Sequence, residues 1–200
     1  MAISAAPLAS SGQPATRYIS PTLAATPYAG ERWAGAASVL PAAAASGAMQ
    51  RADGLIERLL VGHDPQTLSL RLELRGRLDD YETAIYLGKA QDNPSSERPR
   101  AHLADDPHAP QQMVLGWEIR HLPGQPAPFL ARADGRGGWP SSGPVRAAVG
   151  EKVMEVAISL ATLGLELGQE IDALAILSKS GQPVAALPGR RAACLELRRF

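Results

Sequence analysis

Four acidic side chains lie close together in this sequence: Glu73, Asp79, Asp80 and Glu82. Two carboxylates flanking one bond can divide acid and base roles between them, as in glycosidic cleavage, so this group is the first place to look for catalysis. Glu73, however, falls on the polar side of an alternating run and Asp79-Asp80 falls in a turn, so an exposed charged rim is the expected use. A second cluster, His102, Asp105, Asp106 and His108, carries the imidazoles and carboxylates that bind divalent cations. It sits among Pro99, Pro107 and Pro110, where nothing fixes ligand geometry, and a solvated acidic loop without a metal is expected. Nucleophiles are few. Cys194 is the only cysteine and lies in a patterned stretch, so buried packing is its expected use. No Gly-x-Ser-x-Gly turn occurs, and Ser141-Ser142-Gly143 reads as a loop with no evident base. Gly135-Arg136-Gly137-Gly138 has neither the spacing nor the following helix of a phosphate loop. No catalytic residue and no cofactor is implied.

The remaining candidates are aromatic. Flat rings with one polar edge suit the apolar C–H faces of sugars. Trp139 follows two glycines and precedes Pro140, which places it on a loop, and Trp33 lies in another irregular stretch. Both are candidate carbohydrate contacts; packing under a loop or against a partner domain is the competing use. Trp117 shares a strand face with Leu115 and Ile119 and reads as core.

The totals exclude several function classes. With 20 basic and 20 acidic residues the formal net charge is zero, and no basic run exceeds two residues, so no field draws in nucleic acid or an anionic membrane. A single cysteine forbids an intramolecular disulfide, which fits a reducing, cytoplasmic setting. No apolar run reaches the roughly 18 residues of a membrane span. The opening MAISAAPLASSGQPAT lacks the charged and apolar regions of a signal peptide. Abundant Gly and Pro beside only 4% aromatics point to many turns around a Leu/Val/Ala core.

The elements that must position these residues are legible from periodicity. Leu68, Leu70, Leu72 and Leu74 alternate with Thr67, Ser69, Arg71 and Glu73, which predicts a strand with one buried face. His63-Asp64-Pro65-Gln66 is a turn, with proline presetting φ and the aspartate capping its own backbone, so Leu55 to Val61 is the partner strand of a hairpin. Further strands are expected at 18–23, 81–87, 113–120, 128–133, 171–177, 184–187 and 193–197, with 171–177 central because it is mostly apolar. Residues 151–167 fit both periods; a strand to Ile158 followed by a helical turn opened by Ser159 and closed by Gly164 is preferred. Tyr28 to Ser46 reads as loop with a possible helical turn, and Gln91 to Gln112 as a long loop. The fold class is therefore all-β: an antiparallel β-sandwich of about nine short strands with one short helical turn. Residues 1–16 read as a disordered leader or linker remnant and 17–200 as the sandwich.

Ser46-Gly47-Ala48-Met49-Gln50-Arg51-Ala52, Leu55-Ile56-Glu57-Arg58-Leu59, Gly62-His63-Asp64 and Thr67 to Leu72, taken together, resemble the C-terminal accessory domain of family 57 glycoside hydrolases, the α-amylase and amylopullulanase-like enzymes. Tyr18 to Leu23, Val156 to Leu165 and Leu174 to Leu187 are similar to further segments of that domain. The chain departs from the pattern at Gln50, where a histidine is expected, and around Glu31 to Ala36. The resemblance implies a sandwich like those of carbohydrate-binding modules, attached behind a catalytic barrel that holds the family's catalytic carboxylates. These residues would then be a fragment, a split gene product or a stand-alone remnant, and not an enzyme. The implied partners are an α-glucan or other polysaccharide and a glycosidase catalytic domain. The alternative is a structural sandwich that binds a protein and no sugar.

Overall fold

A computed structural model describes residues 15–16, 33, 36–39, 54–89, 116–134, 136, 138–187 and 193–198. The chain folds as two sheets packed face to face, with thirteen strands among the described residues. In chain order they are β1 (Ala15–Thr16), β2 (Ala37–Val39), β3 (Ile56–His63), β4 (Thr67–Leu74), β5 (Glu82–Lys89), β6 (Trp117–His121) and β7 (Phe129–Arg132). There follow β8 (Ser141–Pro144), β9 (Arg146–Val149), β10 (Val153–Ser159), β11 (Glu170–Lys179), β12 (Gln182–Leu187) and β13 (Ala193–Leu197). One helical turn, α1 (Leu160–Leu163), and a 3-10 turn at Leu78–Asp80 complete the described elements. The larger sheet runs β1-β13-β11-β5-β6-β7-β8, with β12 also on β11; the smaller runs β2-β3-β4-β10-β9. Every described pairing is antiparallel except β1 on β13.

The β3–β4 hairpin is the spine of the smaller sheet. Its register puts Leu59 opposite Leu72 and Val61 opposite Leu70, so the leucines of both strands point the same way. All four alternating leucines of β4 are buried, and they meet Ile85, Leu87, Ile119, Ala175 and Leu177 of the larger sheet in one core. The hairpin turn is built as the sequence suggests. Asp64 Oδ1 accepts hydrogen bonds from the amides of Gln66 and Thr67, both at 2.7 Å. Asp64→Ala leaves those two amides without their acceptor and should lower stability by about 1–2 kcal/mol, read as a shifted urea midpoint at constant slope. His63 belongs to the end of β3 rather than to the turn.

The ambiguous stretch resolves as strand then turn. β10 ends at Ser159, and α1 closes at Gly164, whose φ of 60° is the left-handed cap geometry that glycine tolerates. β11 is interior, flanked by β5 on one side and by β13 and β12 on the other. Trp117 lies partly buried against the core, its indole N–H 3.2 Å from the Leu163 carbonyl and the Arg132 guanidinium 5.3 Å above its ring.

Several expectations are corrected. There are more strands than about nine, because short strands form where alternation is too brief to register. Ala37–Val39, read as loop, is β2 and pairs with Leu59 to Val61. Ser141-Ser142-Gly143, also read as loop, belongs to β8 on the edge of the larger sheet. β9 joins the smaller sheet beside β10. The expected strand at 18–23 and the loop at 91–112 lie outside the described residues, as do residues 113–115 of the expected strand before Trp117. No helix among the described residues is long and apolar enough to cross a membrane.

Candidate functional site

The polar face of the smaller sheet is not the exposed rim that alternation suggests. Ser69 is 1% exposed, and Arg71 and Glu73 are each 8% exposed. Cross-strand register explains the cluster they form. Arg58 stands opposite Glu73, and Arg71 stands opposite Glu155 of β10. Directly opposed side chains in an antiparallel pair lie within bonding reach, and here they are opposite in charge. Arg58 Nε donates to Glu73 Oε2 at 2.6 Å, Arg71 Nε to Glu73 Oε1 at 2.5 Å, and Arg71 Nη1 to Glu155 Oε1 at 2.6 Å. Trp33 closes the chain, its indole N–H 2.9 Å from the same Glu155 oxygen, with its ring packed on Leu60. Glu155 is fully buried, so its charge is compensated inside the protein rather than by water.

The electrostatics follow from this geometry. Burial pushes the Glu73 carboxyl up, yet the hydrogen bonds from Arg58 and Arg71 outweigh it and hold the group below its ordinary range. Glu73 raises the Arg58 guanidinium in return. Glu73 therefore stays ionised at neutral pH and has no proton to give, which removes the acid role that its carboxylate neighbours suggested. Those neighbours do not join it. Asp79 accepts from the Gly124 amide at 3.2 Å, and Glu82 pairs with Arg120 at 2.5 Å on the other sheet.

Beside the network, on the same sheet, lies an open groove of about 490 Å³. Glu57, Arg58, Glu73, Arg75 and Lys152 line it over Val153. The larger sheet carries a different cluster on its outer side. Tyr86 donates its hydroxyl hydrogen bond to Glu118 Oε1 at 3.0 Å, and Trp139 packs edge-on against Tyr86 with ring centroids 5.6 Å apart. Tyr86 and Glu118 are buried and Trp139 is half-buried. The loop before Trp139 is shaped by Asp134, whose Oδ1 accepts from the amides of Arg136 and Gly138, both at 2.8 Å. A side chain at Gly138 would collide with that carboxylate.

The two predicted carbohydrate contacts are thus on opposite outer faces and do not form one site. Trp33 is 6% exposed and its N–H is committed to Glu155, whereas Trp139 keeps part of its ring in solvent. Cys194 is half-buried rather than buried. It points away from the core, opposite Asp172, with its Sγ 3.6 Å from Glu170 Oε2. The His102, Asp105, Asp106 and His108 cluster lies outside the described residues. Among the described residues no group of three or more His, Cys, Asp or Glu side chains could hold a metal ion. Arg58, Arg71 and Glu155 were not singled out by sequence. The available signal was Glu155, the lone charge in a strand that is otherwise apolar up to Ile158.

At the far end of β3, burial lowers the His63 imidazole below its ordinary 6.5, only partly opposed by the Asp64 carbonyl at 3.3 Å. The unfolded chain therefore takes up the proton more readily than the folded one. Stability is fully present above pH 6.5 and is lost as pH falls from there towards the folded value. A plot of Tm against pH should turn down below about 6.5, and His63→Gln should flatten that limb. An unchanged limb in the variant would assign the loss to another group.

No protein-family model matches this chain, and a comparison with curated proteins finds no match.

Proposed function

We propose that this chain is a non-catalytic accessory β-sandwich of an α-glucan-active glycoside hydrolase, which contacts carbohydrate weakly or docks on a catalytic barrel. The observation that carries this reading is the partly exposed Trp139 indole, packed edge-on against Tyr86 beside the buried Glu118 on the outer side of the larger sheet. An aromatic ring fixed at a sheet surface suits the apolar face of a glucose unit. Trp33 contributes indirectly, as a packing residue that donates to Glu155. Glu73, ionised and bonded to two guanidiniums, is suited to a binding role rather than to acid catalysis.

Affinity electrophoresis in gels containing glycogen, starch or pullulan tests this. The wild-type chain should be retarded in at least one gel, and Trp139→Ala should run as in a sugar-free gel while keeping its wild-type Tm to within a few degrees. Unretarded migration of the wild type in all three gels would remove the sugar-binding half and leave docking on protein.

A further inference from the structure

The buried ion network ends in a group that it orients but does not consume. Arg58 gives its Nε to Glu73, and its side chain is 47% exposed. Its Nη1–Nη2 edge has no hydrogen-bond partner among the described residues. That edge is the planar fork that matches a carboxylate or phosphate with two parallel hydrogen bonds. Its orientation is set from behind: Glu73 fixes Arg58, Arg71 fixes Glu73, Glu155 fixes Arg71, and the Trp33 indole and β10 fix Glu155. A fork locked this way loses little rotamer freedom when a ligand arrives.

The surroundings select the charge and body of that ligand. Arg75 and Lys152 line the same groove. Arg75 is 68% exposed and only 3.9 Å from Glu57, and Lys152 is exposed. Four cationic side chains and two carboxylates line the groove, and Glu155 behind Arg71 leaves one positive charge in excess. Glu57, loosely held by Arg75, remains an acceptor for hydroxyl protons. We propose that the groove between Arg58, Arg75 and Lys152 binds an acidic saccharide, with the carboxylate or phosphate ester on the Arg58 fork and sugar hydroxyls on Glu57. This site lies on the opposite outer face from Trp139 and does not depend on the glucan reading.

Titrating the ¹⁵N-labelled full chain with glucuronate, glucose 1-phosphate and glucose distinguishes the possibilities. The expected result is that at least one anionic probe shifts the amides of 57–58, 73–75 and 152–153. That probe should bind at least about tenfold more tightly than glucose, and should weaken several-fold between about 20 and 200 mM salt. A preference for glucuronate assigns a uronate, and one for glucose 1-phosphate a phosphate ester. Arg58→Lys keeps the charge but removes the fork, and should weaken binding at least about fivefold. Lys152→Ala, at an exposed position, should weaken it without changing Tm. Glucose binding as tightly as both anions, shifts confined to other faces, or both variants binding like the wild type would overturn the proposal. Retardation or free migration in neutral-glucan gels has no bearing on it.

Discussion

Arg71→Met should destabilise the protein by about 3–5 kcal/mol, measured as a fall in the urea midpoint. The side chain is 9% exposed and bonds two carboxylates, one of them on the fully buried Glu155. Methionine fills much of the space but offers no donor, so Glu155 loses the cation that faces it while keeping the Trp33 indole. A buried carboxylate without its cation must be protonated or drag water inward, and either costs several kcal/mol. The effect should be specific to an unbalanced charge. Adding Glu155→Met to Arg71→Met removes both members of the pair and should restore part of the loss, with a coupling of about 1–3 kcal/mol. A double variant no more stable than the sum of the two single losses would show that the pair acts independently. Arg77→Met is the contrast. Its ion pair with Glu151 spans 3.7 Å between side chains more than 60% exposed, so the change should be within about 0.5 kcal/mol.

Leu70→Ala should cost about 2–5 kcal/mol. Leu70 is fully buried in the middle of β4, opposite Val61 on one side and Val156 on the other. Truncation removes three buried carbons and leaves a void between two sheets that are each pinned by their own hydrogen bonds. The sheets cannot close on the void without moving whole ladders, so the loss should lie towards the upper part of that range. Urea unfolding should show a lower midpoint with an unchanged slope, since the surface exposed on unfolding is nearly the same. Leu72→Ala, with the same burial, should behave alike, whereas Thr67→Ala at the partly exposed start of β4 should lie well below 1 kcal/mol.

The pattern of what was legible follows from how far each signal reaches along the chain. The β3–β4 hairpin, the buried leucines, the Asp64 turn and the strand-to-turn junction at Ser159 to Gly164 are all encoded within a few residues, by alternation, an Asx turn and a glycine cap. β2, β8 and β9 were not legible. Each has three or four residues, too few for alternation to register, and it is the open edge of a neighbouring strand that makes it a strand.

The sequence by itself determined the all-β class and which face of each long strand is apolar. It did so because side chains alternate with period two whatever the partner. Only the tertiary structure decided what lies on the other face. Alternation marks Arg71 and Glu73 as polar, but polar does not mean wet. Register sets Arg71 against Glu155, 84 residues away, and Arg58 against Glu73, and Trp33 reaches 122 residues to complete the set. Burying a charge is costly unless an opposite charge or a hydrogen-bond donor is brought to it, and here that meeting depends on pairing between strands, which periodicity within one strand does not carry.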